Sequence, residues 1–172
     1  GIPAALLSAS LSRSLVPGGG PSAGARARFL DPARFIADLN RLLCDPEADV
    51  ENFATVAYGT LDKTTGAIAL ALAGHPRPIV LRRSGAIERA LLGGLPLGLF
   101  PDATFEPQDL SLDPGDKLIL YSDGVTDCES RDGESFGEAR LEGIARSAAG
   151  NSTATLTDAL AARLREWRGS LN

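Results

Sequence analysis

A chain of 172 residues, 44% hydrophobic and 23% charged, has a globular balance and is long enough to bury a core, which excludes wholesale disorder. Its formal net charge of −5 argues against a nucleic-acid or anionic-membrane surface. There is no signal-peptide pattern and no apolar run near the roughly 20 residues that a spanning helix needs, so a cytoplasmic setting without membrane contact is expected.

The first predicted element is an amphipathic helix over residues 3–15, with Ala4, Leu7, Leu11 and Leu15 at helical spacing. Pro17-Gly18-Gly19-Gly20-Pro21 stops it, and the stretch to Arg28 reads as a loop. A second helix is predicted from Asp31-Pro32, with Asp31 as N-cap and Pro32 at the first helical position. Phe35, Ile36, Leu39, Leu42 and Leu43 form its apolar face, and Asp45-Pro46 ends it. From Phe53 the period changes to two. Strands at 53–61 and 67–73 flank the hairpin connection Asp62–Gly66, with alanines at 67, 69, 71 and 73 packing closely on one face. Further strands are predicted at 78–83, 86–92, 104–110 and 117–122, with turns at Ser84-Gly85 and Asp113-Pro114-Gly115-Asp116. Two helices close the chain, at 137–149 and 154–168, the second with Leu156, Leu160, Leu164 and Trp167 on one face. Helices, an antiparallel strand block, then helices make an α+β pattern. It reads as a single domain over 1–172, with N-terminal helices in 1–45, a sheet region at 53–123 and C-terminal helices at 137–168.

The most informative stretch runs from Asp116 to Asp127. It leaves a Pro-Gly turn, passes through Leu118-Ile119-Leu120-Tyr121, and sets Asp123 at the strand end before Gly124. A rigidly held carboxylate of this kind suits a hard divalent cation, and Gly124 would allow a sharp turn or the close approach of a ligand. On its own, an Asp-Gly pair reads as a turn. Asp127 reads as a helix or turn residue, and Asp132 and Glu134 as solvated loop residues. Cys44 and Cys128 are isolated and read as reduced, and a single histidine, His75, makes a His-rich metal cluster impossible.

Seven short runs in order change the odds. They are Gly1-Ile2-Pro3-Ala4-Ala5-Leu6-Leu7, Leu39-Asn40-Arg41-Leu42-Leu43, Phe53-Ala54-Thr55, Ala73-Gly74-His75-Pro76, Gly93-Gly94-Leu95-Pro96-Leu97-Gly98, the stretch 118–127 and the stretch 131–141. Together they resemble the SpoIIE-type branch of the metal-dependent PPM (protein phosphatase 2C-like) serine/threonine phosphatases, over nearly the whole chain. The resemblance implies a sandwich of two antiparallel β-sheets flanked by helices. It implies a two-metal centre of Mn2+ or Mg2+ that activates a water for attack on phosphorus, with Asp123 as a metal ligand and Gly124 beside it. It also implies that the helices carrying Leu7, Leu11, Leu39 and Leu42 are regulatory, shifting when an upstream sensor or receiver domain signals. The implied substrate is a phosphoserine or phosphothreonine protein such as an anti-sigma-factor antagonist.

The family's other core aspartates would fall just before Gly1 and just after Asn172. The chain is therefore expected to be a phosphatase domain cut at both ends, weak or inactive by itself, with exposed sheet edges that favour a homo-oligomer. The competing reading is a non-catalytic signalling or scaffold module of the same fold that lacks a complete metal site. His75, in Ala-Gly-His-Pro, reads as a strand corner whose imidazole bonds backbone, ahead of a role as proton donor. The Gly93–Gly98 loop reads as a tight connection ahead of a phosphate cradle.

Overall fold

Asp31 and Pro32 start a helix for the reason their order predicts. The computed structural model describes residues 31–44, 53–89 and 93–169. The helix expected over 3–15, with Leu7 and Leu11, and the loop at 17–28 lie outside them. Helix α1 (Pro32–Leu43) has Pro32 at its first position, and the Asp31 carboxylate accepts from the Arg34 N–H at 3.1 Å. That bond satisfies an amide which a helix start would otherwise leave without a partner.

The described residues gather into two compact units. The first holds those up to Thr60 together with Ala69–Gly74 and Gly94–Pro107; the second holds Leu61–Ile68, His75–Gly93 and the residues from Gln108 onward. The strands are β1 (Val56–Leu61), β2 (Ala67–Ala73), β3 (Ile79–Leu81), β4 (Ile87–Arg89), β5 (Gln108–Ser111) and β6 (Lys117–Ile119). They form two three-stranded sheets, ordered β1-β2-β5 and β4-β3-β6. The one-turn helix α2 (Asp123–Thr126) and the longer α3 (Gly137–Ser147) and α4 (Thr153–Arg168) complete the chain order.

In the first unit, Ile36, Leu39 and Leu43 of α1 pack on Ala71, Ala73, Leu97 and Phe105, and Phe35 stacks on Tyr58 with ring centroids 4.1 Å apart. The apolar face differs from expectation at one residue. Leu42 is 57% exposed, whereas Asn40 is 1% exposed. The core-facing stripe runs through the buried Ile36, Leu39 and Asn40 to the partly buried Leu43, the i, i+3, i+4, i+7 pattern of a helix face, and Leu42 falls to its side. Leu97 pairs with Ala54 through two backbone bonds of 2.8 and 3.1 Å, which carries the 94–107 segment to the strands. Gly94 is required here: a Cβ on it would lie 2.2 Å from the Leu72 carbonyl oxygen.

In the second unit, β3 is central, pairing Ile79 with Arg89 and Ile119, and Leu81 with Ile87 and Lys117. All three β3 residues are buried. Leu141, Ala145, Ala148 and Leu156 pack over Ile79 and Leu81, with Leu160, Leu164 and Trp167 beside them as the α4 spacing predicts. β2 spans the expected 67–73, whereas β3 and β6 are shorter than expected. β6 stops at Ile119 and β3 at Leu81, where their mutual pairing, Ile79 with Ile119 and Leu81 with Lys117, ends. The expected strand at 104–110 is ordered as a strand only from Gln108. Both cysteines are free thiols.

An arginine ties the turns of this unit together. Arg82 forms two parallel bonds to Glu88 (2.8 and 2.7 Å), a bond to Asp116 (2.8 Å) and one to the Ser111 carbonyl (2.7 Å). The Asp116 carboxylate also accepts from the N–H groups of Arg83 and Asp113. Arg82, then the Arg83 amide, hold the Asp116 carboxyl below its usual range; Arg82 does the same for Glu88, and the Thr64 and Thr65 amides for Asp62. All three carboxyls are depressed by folding, so their stabilisation is present above the unfolded values near pH 4 and is lost as pH falls through the folded ones. Thermal melts between pH 3 and 7 should show stability falling toward acid pH, and Asp116→Asn should lessen that fall. An unchanged fall in the variant would refute the role given to Asp116.

Candidate functional site

Asp123 does not stand at a strand end. The β6 ladder closes at Ile119, Ser122 takes an extended N-cap conformation, and Asp123 opens α2 as an exposed residue. Its carbonyl accepts from the Asp127 N–H at 2.7 Å and the Thr126 hydroxyl at 3.1 Å. Its carboxylate has no hydrogen bond or ion pair among the described residues. Gly124 lies within the helical turn, absent from the glycines with positive φ, so the sharp-turn role is not used. A Cβ there would meet only the Ser122 hydroxyl at 3.5 Å, which leaves the space beside it open. Asp127 caps the end of α2, where its carboxylate accepts from Thr126 at 3.3 Å, as a turn residue does.

His75 shares an electrostatic environment with Asp123. Burial holds the imidazole below its ordinary value, against the opposing pull of the Asp123 charge, so it is neutral at pH 7. The expected imidazole–backbone bond is not found among the described residues. Of the four leucines, Leu39 belongs to the core of the first unit, Leu42 is exposed, and Leu7 and Leu11 lie outside the described residues. The Gly93–Gly98 loop is a structural connection: the Gly98 N–H donates to the Asn40 side chain at 2.9 Å, and the Gly94 carbonyl accepts from Gly74 at 2.7 Å. Glu134 is not merely solvated; it pairs with Arg140 at 2.7 Å.

Three further residues act as polar anchors, Tyr121 and Arg89 in the second unit and Asn40 in the first. Tyr121 is 6% exposed, and its hydroxyl lies 2.8 Å from Arg89 and 3.1 Å from Glu138. Asn40 anchors the 94–107 segment. Its polar identity at a stripe position was the available signal, whereas nothing local in the sequence pairs Arg89 with Tyr121. A groove of about 1140 Å³ beside α3 and α4, lined by Arg131, Arg140, Arg163, Glu134, Glu166 and Trp167, includes neither Asp123 nor His75. Two of its arginines are neutralised, Arg140 by Glu134 and Arg163 by Glu166.

A pair of hard divalent cations demands several oxygen ligands. Among the described residues no group of three or more His, Cys, Asp and Glu side chains could hold a metal ion. Asp123 offers one uncommitted carboxylate and does not by itself meet that demand.

Comparison with solved structures defines the fold as PP2C-type. The SiaA-PP2C domain of Pseudomonas aeruginosa matches with a TM-score of 0.78 at 20% identity, over 99% of this chain and 66% of that one. The family profile described as Stage II sporulation protein E (SpoIIE) matches residues 1–171, and the chain belongs to that family. Protein IcfG of Synechocystis sp. is 35% identical over 114 residues, 66% of this chain and 18% of that protein. Phosphoserine phosphatase RsbU of Bacillus subtilis is 29% identical over 105 residues, 60% of this chain and 31% of that protein. The chain thus spans less than a third of either relative. Both the family and the two-sheet α+β fold class expected from the sequence are borne out.

Proposed function

We propose that this chain is part of a metal-dependent serine/threonine phosphatase that hydrolyses a phosphoserine or phosphothreonine on a regulatory protein, with an anti-sigma-factor antagonist as the substrate class. The observation that carries the reading is the family match over residues 1–171, and the name of the relative RsbU, a phosphoserine phosphatase, supports the chemistry. Asp123 is the proposed ligand for Mn2+ or Mg2+, because its carboxylate is exposed and uncommitted on an ordered turn. An upstream sensor or receiver domain would supply the signal. A cytoplasmic setting goes with this reading; among the described residues no helix is long and apolar enough to cross a membrane. A second reading, a non-catalytic module of the same fold, is favoured by one observation: the described residues hold no group of three metal-ligating side chains.

The test uses the protein that carries this chain, assayed for manganese-stimulated phosphate release from a phosphorylated antagonist protein. Asp123→Asn keeps the side-chain shape and removes the negative charge. Turnover should fall on the order of a hundredfold, as when a group that stabilises charge in a transition state is lost. Asp127→Asn should stay within a few-fold of the parent. A fully active Asp123→Asn protein would sink the ligand assignment, and no phosphate release by the parent would favour the non-catalytic module.

A further inference from the structure

Beyond Ile119 no ladder bond among the described residues fixes the chain, yet Asp123 lies only a few residues on. What directs the backbone between them is a side-chain anchor. Tyr121 is buried, its hydroxyl accepting from Arg89 Nη1 at 2.8 Å and donating to Glu138 Oε1 at 3.1 Å. Arg89, the last residue of β4, is in turn held by Glu142 of α3 through Nε at 3.0 Å and Nη2 at 2.8 Å. Its Nη1 also reaches Glu138 at 3.1 Å and the Arg77 carbonyl at 3.4 Å. Glu142 is braced by Arg146 at 3.0 Å. Past Asp123, Val125 packs into the same core as Tyr121. Apart from its charge interaction with His75, the Asp123 side chain has no hydrogen bond or ion pair among the described residues, so its placement is set by its backbone, between Tyr121 before it and Val125 after it.

We propose that Tyr121 and Arg89 are positioning residues for Asp123: their hydrogen bond couples the entry to α2 to β4 and α3, and so aims the Asp123 carboxylate. The proposal rests on reading Asp123 as the functional carboxylate. Its physical content is a local one. Buried polar networks with every member bonded rigidify what they touch, whereas a one-turn helix has too few bonds of its own to persist without tertiary support.

Tyr121→Phe tests this, because it keeps the buried ring and removes only the hydroxyl. The amides of Val125 and Asp127 report on the turn, since they donate to the Ser122 and Asp123 carbonyls. Their hydrogen exchange in the variant should accelerate about tenfold through local opening, while α3 and α4 amides keep their protection and the melting midpoint moves little. Arg89→Lys keeps the charge but lacks the planar fork that bridges Tyr121 and Glu142, and should loosen the same two amides. Unchanged exchange at Val125 and Asp127 would overturn the proposal. So would equal acceleration throughout α3 and α4, which would make the network a contributor to general stability only. The exchange readout is independent of turnover, so a fully active Asp123→Asn protein would defeat the metal-ligand assignment without altering the result here.

Discussion

Asn40→Ala is expected to destabilise the unit built on α1 by about 3 kcal/mol, because it removes a fully used amide from a site 1% exposed. The Asn40 NH2 donates to the Phe100 carbonyl at 2.9 Å, and its Oδ1 accepts from the Gly98 N–H at 2.9 Å. Each lost bond is worth about 1 kcal/mol net, and each backbone group left without a partner adds a desolvation cost of similar or larger size. Gly98 and Phe100 are not themselves fully buried, so water can partly replace the amide, which keeps the total from rising further. The vacated volume adds a cavity term. Urea unfolding gives the number, and a loss below about 1 kcal/mol would show that the bonds are replaced by solvent.

Asn40→Asp separates hydrogen bonding from packing. The introduced carboxylate still accepts from Gly98 but opposes the Phe100 carbonyl and is charged in a buried place. Burial raises the folded pKa of such a carboxyl above its unfolded value near 4. The protonated form is therefore the tolerated one, and the penalty should grow as pH rises through the folded value. A loss that is smaller at pH 4.5 than at pH 7 is the expected signature; a pH-independent loss would mean the site is wetter than its exposure states.

Asn40 also illustrates which parts of the fold are legible from residues alone. The start of α1 was, because an N-cap and a first-turn proline act within one turn of chain. The stripe was misassigned at a single residue because hydrophobic identity outvoted spacing: Leu42 is apolar but off the face, and Asn40 is polar but on it. Strand ends failed for a different reason. A ladder's length is set by its partner, and β3 offers three residues to each neighbour whatever the flanking sequence allows. Asp123 lies beyond the end of β6, in the first turn of α2. Motif order was enough to name the family and to propose Asp123 as a ligand, since both are matters of residue type and succession. The support beneath it was not legible: Arg89 and Glu142 are 53 residues apart, and no local pattern announces their meeting.

Trp167→Ala should produce the other large loss, about 3–4 kcal/mol in the second unit, within the range for deleting a packed aromatic side chain. The indole fastens α4 to the 128–136 segment in three ways. Its Nε1–H is shared between the Cys128 and Glu134 carbonyls, both at 3.1 Å. Its ring meets Phe136 edge-on, with centroids 5.9 Å apart. The Arg140 guanidinium lies 4.0 Å from the ring centroid, a cation–π contact that also leaves Arg140 free to bond Glu134 and the Phe136 carbonyl. Trp167→Phe keeps an aromatic face under Arg140 and part of the contact with Phe136 but has no N–H. It should recover more than half of the loss if packing dominates, and little of it if the shared hydrogen bond does. The apolar surroundings, which include Leu164, favour the first outcome. Calorimetry or urea unfolding of the two variants side by side decides between them, and an alanine variant as stable as the parent would show that α4 is held by Leu156 and Leu160 without its last turn.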